Sequence, residues 1–232
     1  MKVLVIDIGG TNIKVASTDT RVPIKIPSGP HLTAKMMVED VLNATKGWDY
    51  DCVTLGYPGP VNHDAPIMEP HNLAPGWIDF PYGKAFGKPH KFINDAAMQA
   101  LGGYKGGKML FLGTGTGLGT AVIADGTILP LELAHLPYKK GLSYEDYIGL
   151  AGLERRGKSK WRKSVLDIVE LLKAAMVCDY VLLGGGNAKL MKELPSHVFL
   201  GANSNAIEGG IKLWENVAPP VKAKKAGKKK RK

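Results

Sequence analysis

Apolar residues come in short runs broken by glycine, proline and polar clusters, the pattern of strands alternating with helices. Val3–Ile8 is a β-rich run. Alternation resumes at Ile13 and Val15, so Gly9-Gly10-Thr11-Asn12 reads as the turn of a hairpin. Arg21–Pro27, with Val22, Ile24 and Ile26, continues as a third strand. A helix is predicted from Thr33, with Met36, Met37, Val41 and Leu42 as its apolar face and Gly47 as its end. Cys52–Tyr57 is the next strand and enters the rigid turn Pro58-Gly59-Pro60. His63 to Lys91 follows no period; Trp77, Ile78 and Phe80 make it an ordered binding loop rather than a disordered one.

Phe92–Ala97 brings a short strand into a helix predicted from Asp95 to about Leu101, stopped by Gly102-Gly103. Lys108–Leu112, a glycine-hydroxyl turn over Gly113–Gly119, Thr120–Ala124, a tight Asp125-Gly126 turn and Thr127-Ile128 then repeat the opening architecture. A short helix is expected over Leu142–Leu150, a basic loop over Leu153–Ser159, and the longest amphipathic helix over Trp161–Cys178. Asp179–Leu183 is a buried strand leading to Gly184-Gly185-Gly186-Asn187, which is expected to open a helix over Ala188–Leu194. Val198–Leu200 is a last strand, Ala206–Asn216 a last helix, and Pro219-Pro220 closes the folded part.

Composition narrows the class. A 44% hydrophobic content suits a globular chain with a sizeable core, and no apolar run is long enough to cross a membrane. The start reads as a core strand and not as a signal peptide. Cys52 and Cys178 sit in strand-like apolar settings, as buried thiols do. A cytoplasmic location is expected. Of the net charge of +10, eight charges lie in Lys222–Lys232, so basicity belongs to the tail. That tail has almost nothing to bury, is expected to be disordered, and would attract polyanions nonspecifically.

The chemistry gathers at the turns. Gly9 and Gly10 let backbone N–H groups approach an anion, and Asp7 at the strand end can hold Mg²⁺. Gly113-x-Gly115-x-Gly117-x-Gly119 is neither a Rossmann fingerprint nor a Walker A loop, because a strand follows and no Gly-Lys-Ser/Thr closes it. Asn94 or Asp95 caps its helix. A carboxylate there is expected to stay ionised under the helix dipole, as suits a base for a substrate hydroxyl. Glu132 and His135, with no cysteine nearby, fit polyol recognition better than a metal site. Gly184–Asn187 can approach a nucleotide or phosphate without steric conflict.

With Asp7–Lys14, Asn94-Asp95, Gly113–Gly119, Glu132–His135 and Gly184–Asn187 in this order, the chain resembles the ROK family of sugar kinases from Met1 to about Glu215. Among these it looks most like the short polyphosphate glucokinases; Glu145-Asp146-Tyr147 resembles a stretch of that subgroup. It departs from the family at Ala134, where glycine is usual. The resemblance implies an α/β, two-domain actin-like ATPase (ribonuclease H-like) fold with the sugar in the interdomain cleft. The domains would span 1–104 and 105–218, with the last helix packed back on the first domain and 219–232 a Lys-rich tail. It implies that Asp95 is the base and that Asn94, Glu132, His135, Asn72 and Gly59 bind the sugar. Gly9, Gly10, Thr11, Asn12, Lys14, Gly113, Thr114, Gly115 and Thr116 would hold donor phosphates, and Gly184, Gly185, Gly186 and Asn187 would face an adenosine. Asp7 would attend Mg²⁺. Glucose, polyphosphate or ATP, and a second copy in a homodimer are the implied partners. The alternatives are an ATP-only kinase of another hexose, and a non-catalytic sugar binder or regulator. The family's repressors carry an N-terminal helix-turn-helix domain, for which a first strand beginning at Lys2 leaves no room.

Overall fold

Two five-stranded sheets repeat one plan. In the computed structural model, which describes residues 1–215, the first sheet begins with β1 (Val3–Ile8) and β2 (Asn12–Ser17), an antiparallel hairpin. β3 (Ile24–Pro27) extends it on the β2 side; Pro23, lacking an N–H, marks its start, and Val22 is exposed rather than part of the strand. α1 (Ala34–Ala44) is N-capped by the Thr33 side chain. It buries Ala34, Met37, Val38 and Val41, while Met36 and Leu42 face solvent. β4 (Cys52–Tyr57) then pairs in parallel with β1.

The irregular stretch holds a two-residue hairpin, β5 (Val61–Asn62) and β6 (Ala65–Pro66), and a short helix, α2 (Tyr82–Phe86). β7 (His90–Asn94) closes the sheet in the order β3-β2-β1-β4-β7 and passes directly into α3 (Asp95–Gly103).

The second sheet copies this order with β8 (Lys108–Thr114), β9 (Leu118–Ala124) and β10 (Thr127–Leu131), each antiparallel to the last. A small hairpin, β11 (Pro137–Lys139) and β12 (Leu142–Ser143), leads to α4 (Tyr144–Ile148). The short helix expected over 142–150 thus starts later. Ser143 and Asp146 form a capping box there, and the charge-accepting bonds hold the Asp146 carboxyl below its ordinary range. α5 (Leu150–Ala175) follows, with one non-helical residue at Gly157. The expected basic loop is therefore helical. Arg155 donates to the Asp146 carbonyl, and Arg156 donates to Ser164 Oγ while lying over the Tyr147 ring, so these cations are tied to the helix pair.

β13 (Tyr180–Gly184) and β14 (Val198–Leu200) complete the order β10-β9-β8-β13-β14. The helix expected over Ala188–Leu194 is only a 3₁₀ turn at Ala188–Leu190; Pro195 disfavours helical backbone at Leu194. α6 (Asn205–Lys212) ends the described chain, shorter than expected. Asn216 and the Lys-rich tail lie outside the described residues.

The residues sort into five layers because successive strand residues face opposite ways. Leu4, Ile6 and Ile8 join α1 and Trp77 on one side; Val3 and Val5 point inward to α3 and α6. Met109 and Phe111 meet the same two helices from the second sheet, and Leu110 and Leu112 cover α5. The central layer depends on glycine. Gly102 and Gly103 are the last residues of α3, where the stop was expected, and a Cβ at Gly102 would collide with the Asn205 backbone. Gly209 meets the Met98 carbonyl in the same way. α6 thereby reaches back to the first sheet, where the Thr54 hydroxyl donates to the Gly210 carbonyl at 2.8 Å. Cys52 and Cys178 are free and buried. Among the described residues no helix is long and apolar enough to cross a membrane.

Candidate active site

The carboxyl ends of the parallel strands of both sheets open on one cleft of about 830 Å³. β1 delivers Asp7 and Gly9–Thr11, the segment after β4 delivers Gly59, and β7 with α3 delivers Asn94 and Asp95. From the second sheet come Gly113, Gly115, Thr116, Gly185 and Gly186. Glu132, His135, Asn72 and Lys14 complete the expected set that lines the cleft. Asn12, Thr114, Gly184 and Asn187 stand behind this lining.

Asn94 is the N-cap of α3. Its Oδ1 accepts from Ala97 N at 3.1 Å and its Nδ2 donates to the Gly59 carbonyl at 3.2 Å, which joins the start of α3 to the segment after β4. Asp95 Oδ1 accepts from Ala96 N at 2.7 Å. The helix dipole does not keep Asp95 an ordinary acid, contrary to the sequence expectation. Burial first, then the charges of Asp7 and Glu132, push its pKa up to about 7, and the Ala96 N–H offsets only part of that. A carboxyl that exchanges its proton near neutrality is matched to taking one from a hydroxyl.

The first glycine turn closes through Gly9 N donating to Asn12 O at 3.2 Å. A Cβ at Gly9 would lie 2.8 Å from that carbonyl oxygen, so the turn demands glycine. Across the hairpin Lys14 Nζ pairs with Asp7 Oδ2 at 2.9 Å. The second turn is braced from behind. Thr114 Oγ1 donates to Gly184 O, Asn187 N donates to Thr114 O, and Asn187 Nδ2 donates to Gly115 O at 3.0 Å. Gly185, at φ +81°, leaves no space for a Cβ against the Thr114 backbone. Asn187 of the Gly184–Asn187 segment thus holds the second glycine turn in shape.

The 3₁₀ turn Leu133–His135 buries Leu133 and Ala134 and turns Glu132 and His135 outward to the cleft. The alanine that departs from the family pattern is 3% exposed and packs into the second sheet's core, so it fits without displacing His135.

Among the cleft residues that escaped the sequence reading as site residues are Glu69, His71, Gln99 and Glu145. The Glu69 carboxylate accepts from Gly76 N and Trp77 N, both at 3.1 Å, and so shapes the loop carrying Asn72. Glu145 Oε2 accepts from Leu118 N at 2.8 Å and clamps the second glycine turn. No local signal marks Glu69. Gln99 was findable, since it lies one helical turn after Asp95.

Among the described residues no cluster of three His, Cys, Asp or Glu could cage a metal. Asp7 alone is a carboxylate at the strand end, 6% exposed. That donor set fits Mg²⁺ carried in on phosphates, because Mg²⁺ keeps several waters and uses one or two carboxylates.

Paired sheets of this order around a polar cleft make the actin-like fold, the fold of the ROK sugar kinases of known structure. The inorganic polyphosphate/ATP-glucomannokinase of Arthrobacter sp. strain KM superposes with a TM-score of 0.75 at 22% identity, covering 91% of this chain and 98% of that one. A ROK family glucokinase from Streptomyces griseus, in complex with glucose and AMPPNP, gives a TM-score of 0.70 at 17% identity over 92% of this chain and 99% of that one. In sequence the chain resembles the polyphosphate glucokinases. That of Mycobacterium tuberculosis (strain ATCC 25177 / H37Ra) is 29% identical over 206 residues, 78% of this chain and 76% of that protein. That of Mycobacterium leprae (strain TN) is 30% identical over 78% of this chain and 62% of that protein. No family model matches the sequence.

Proposed function

We propose that this chain transfers a phosphoryl group from polyphosphate or ATP to the 6-hydroxyl of glucose. Its relatives indicate a sugar phosphotransferase. The observation that carries the finer reading is Asp95, on the cleft wall with its pKa pushed up to about 7, between a polar sugar side and two glycine turns.

Asn94, Glu132, His135, Asn72 and the Gly59 segment hold the sugar so that its primary hydroxyl faces Asp95. As that oxygen forms its bond to the donor's terminal phosphorus, Asp95 takes the proton, and the bridging P–O bond breaks toward ADP or a polyphosphate one unit shorter. Gly9–Thr11 and Gly113–Thr116 present backbone N–H groups to donor phosphates from two sides. Lys14 supplies a cation when it leaves Asp7. Asp7 would hold Mg²⁺, which neutralises phosphate charge when bound. Phosphoryl transfer needs mainly this positioning and neutralisation.

We take residues 1–104 and 105–218 as two domains that close on the sugar and exclude water. In support, each range contains one five-stranded sheet, and α6 packs back on β1 and β4. The homodimer rests on the resemblance and the cytoplasmic location on the sequence reading; light scattering of the purified chain decides the first.

A coupled glucose-6-phosphate assay with Mg²⁺, run in parallel with ATP and polyphosphate, tests the activity. Turnover with either donor is the expected result. Silence with both, while glucose binds, favours the non-catalytic binder.

A further inference from the structure

We propose that Gln99 donates a hydrogen bond to the phosphoryl group being transferred, making it a donor-side catalytic residue; this rests on the kinase reading above. Gln99 lies four residues after Asp95 on α3, so the two side chains share a face, about 5–6 Å apart at their Cβ atoms. Both line the cleft, with Ala96 beside them.

The far end of the Gln99 side chain reaches the second sheet. Its Oε1 lies 3.5 Å from where a Cβ on Gly184 would stand. Gly184 accepts the Thr114 hydroxyl, so the amide sits at the floor where the two braced turns meet. It is half-buried, and among the described residues it has no hydrogen-bond partner. A polar group so placed is satisfied by water or by a ligand that fills the cleft.

The side chain's neutrality matters. Asp95 titrates near 7 because burial and two carboxylates act on it. A lysine one turn away would favour its charged form and lower that pKa, weakening it as a base. An amide gives an N–H to a non-bridging phosphate oxygen and leaves the base's titration alone. Charge on those oxygens is what a donor there would stabilise.

The test compares Gln99→Ala and Gln99→Glu with the full wild-type chain. For Gln99→Ala, kcat/KM for the phosphoryl donor falls roughly tenfold, the size of one neutral hydrogen bond, and magnesium tripolyphosphate binds more weakly by calorimetry. Glucose affinity and melting temperature stay at wild-type values, and the acid limb of the pH profile does not move. For Gln99→Glu, that limb moves to higher pH, because a further carboxylate faces Asp95. An unchanged donor kcat/KM in Gln99→Ala, or a loss matched by weaker glucose binding and lower melting temperature, overturns the assignment. A wild-type chain inactive with both donors would defeat the kinase reading instead, and the tripolyphosphate comparison would still decide whether Gln99 meets phosphate.

Discussion

Lys14 Nζ lies 2.9 Å from Asp7 Oδ2, and the two residues face each other across the first hairpin, on either side of its glycine turn. The pair places a cation and an anion at the mouth of the cleft. Asp7 is nearly buried and Lys14 is half exposed, so the carboxylate depends on the lysine more than the reverse. Lys14→Met is expected to cost about 1–2 kcal/mol in urea unfolding, discounted for the exposure of Lys14. It also leaves the Asp7 charge uncompensated beside Asp95, so the acid limb of activity moves up. Asp7→Asn removes a charge that raises the Asp95 pKa, so the limb of its residual activity moves down. An unmoved limb in both variants would show that the Asp7 field does not reach Asp95.

Under the proposed mechanism Asp95 sets the pH profile. As the proposed base it acts when ionised, so kcat/KM is expected to decline as pH falls through about 7. The fold responds in the opposite sense. The folded state holds this proton more tightly than an unfolded chain with the ordinary value of 3.8. Stability from this group is therefore full below about 4 and is lost as pH rises toward 7. Asp95→Asn should flatten melting temperature over that window, reduce turnover on the order of 10²–10⁴-fold, and leave glucose binding measurable by calorimetry.

Two carboxylates brace opposite ends of the cleft and should separate in steady-state kinetics. Glu69→Ala frees the Gly76 and Trp77 N–H groups and loosens the Asn72 loop. It should raise KM for the sugar roughly tenfold and leave donor KM unchanged, the loss of about one charge-assisted bond. Glu145→Ala releases Leu118 N and should do the reverse.

Gly102→Ala tests the central layer. In an ordinary exposed helix this change stabilises by about 1 kcal/mol. Here the added Cβ meets the Asn205 backbone, so α3 and α6 must part, at a cost of about 1–3 kcal/mol. The sign of the change in thermal unfolding decides between the two.

Deleting Val221–Lys232 removes eight positive charges. Turnover with ATP should persist, and KM for long polyphosphate should rise, with the difference vanishing at high salt. Equal effects on both donors would separate the tail from donor choice.

Period-two alternation and glycine turns were enough to place both hairpins, both five-stranded runs and the Asn94-Asp95 step, because strand burial and tight turns are written in neighbouring residues. The order of motifs pointed to one cleft for the same reason. Gly102 and Gly103 read as the end of α3, as they are, but the packing of α6 that requires glycine there comes from more than a hundred residues later. Local signals misled where a distant partner decides. The basic segment around Arg155 reads as a loop until Asp146, Ser164 and Tyr147 tie its cations to helices. The turn after Gly184 promises a helix, yet Asn187 bonds the opposite hairpin. The chain by itself named the candidate residues, most of which the fold brings to one cleft. Only the tertiary structure decided their state: burial between two sheets, with Asp7 and Glu132 close by, turns Asp95 from an ordinary acid into one that titrates near 7. Desolvation and Coulomb fields depend on distances in space, which sequence spacing does not contain.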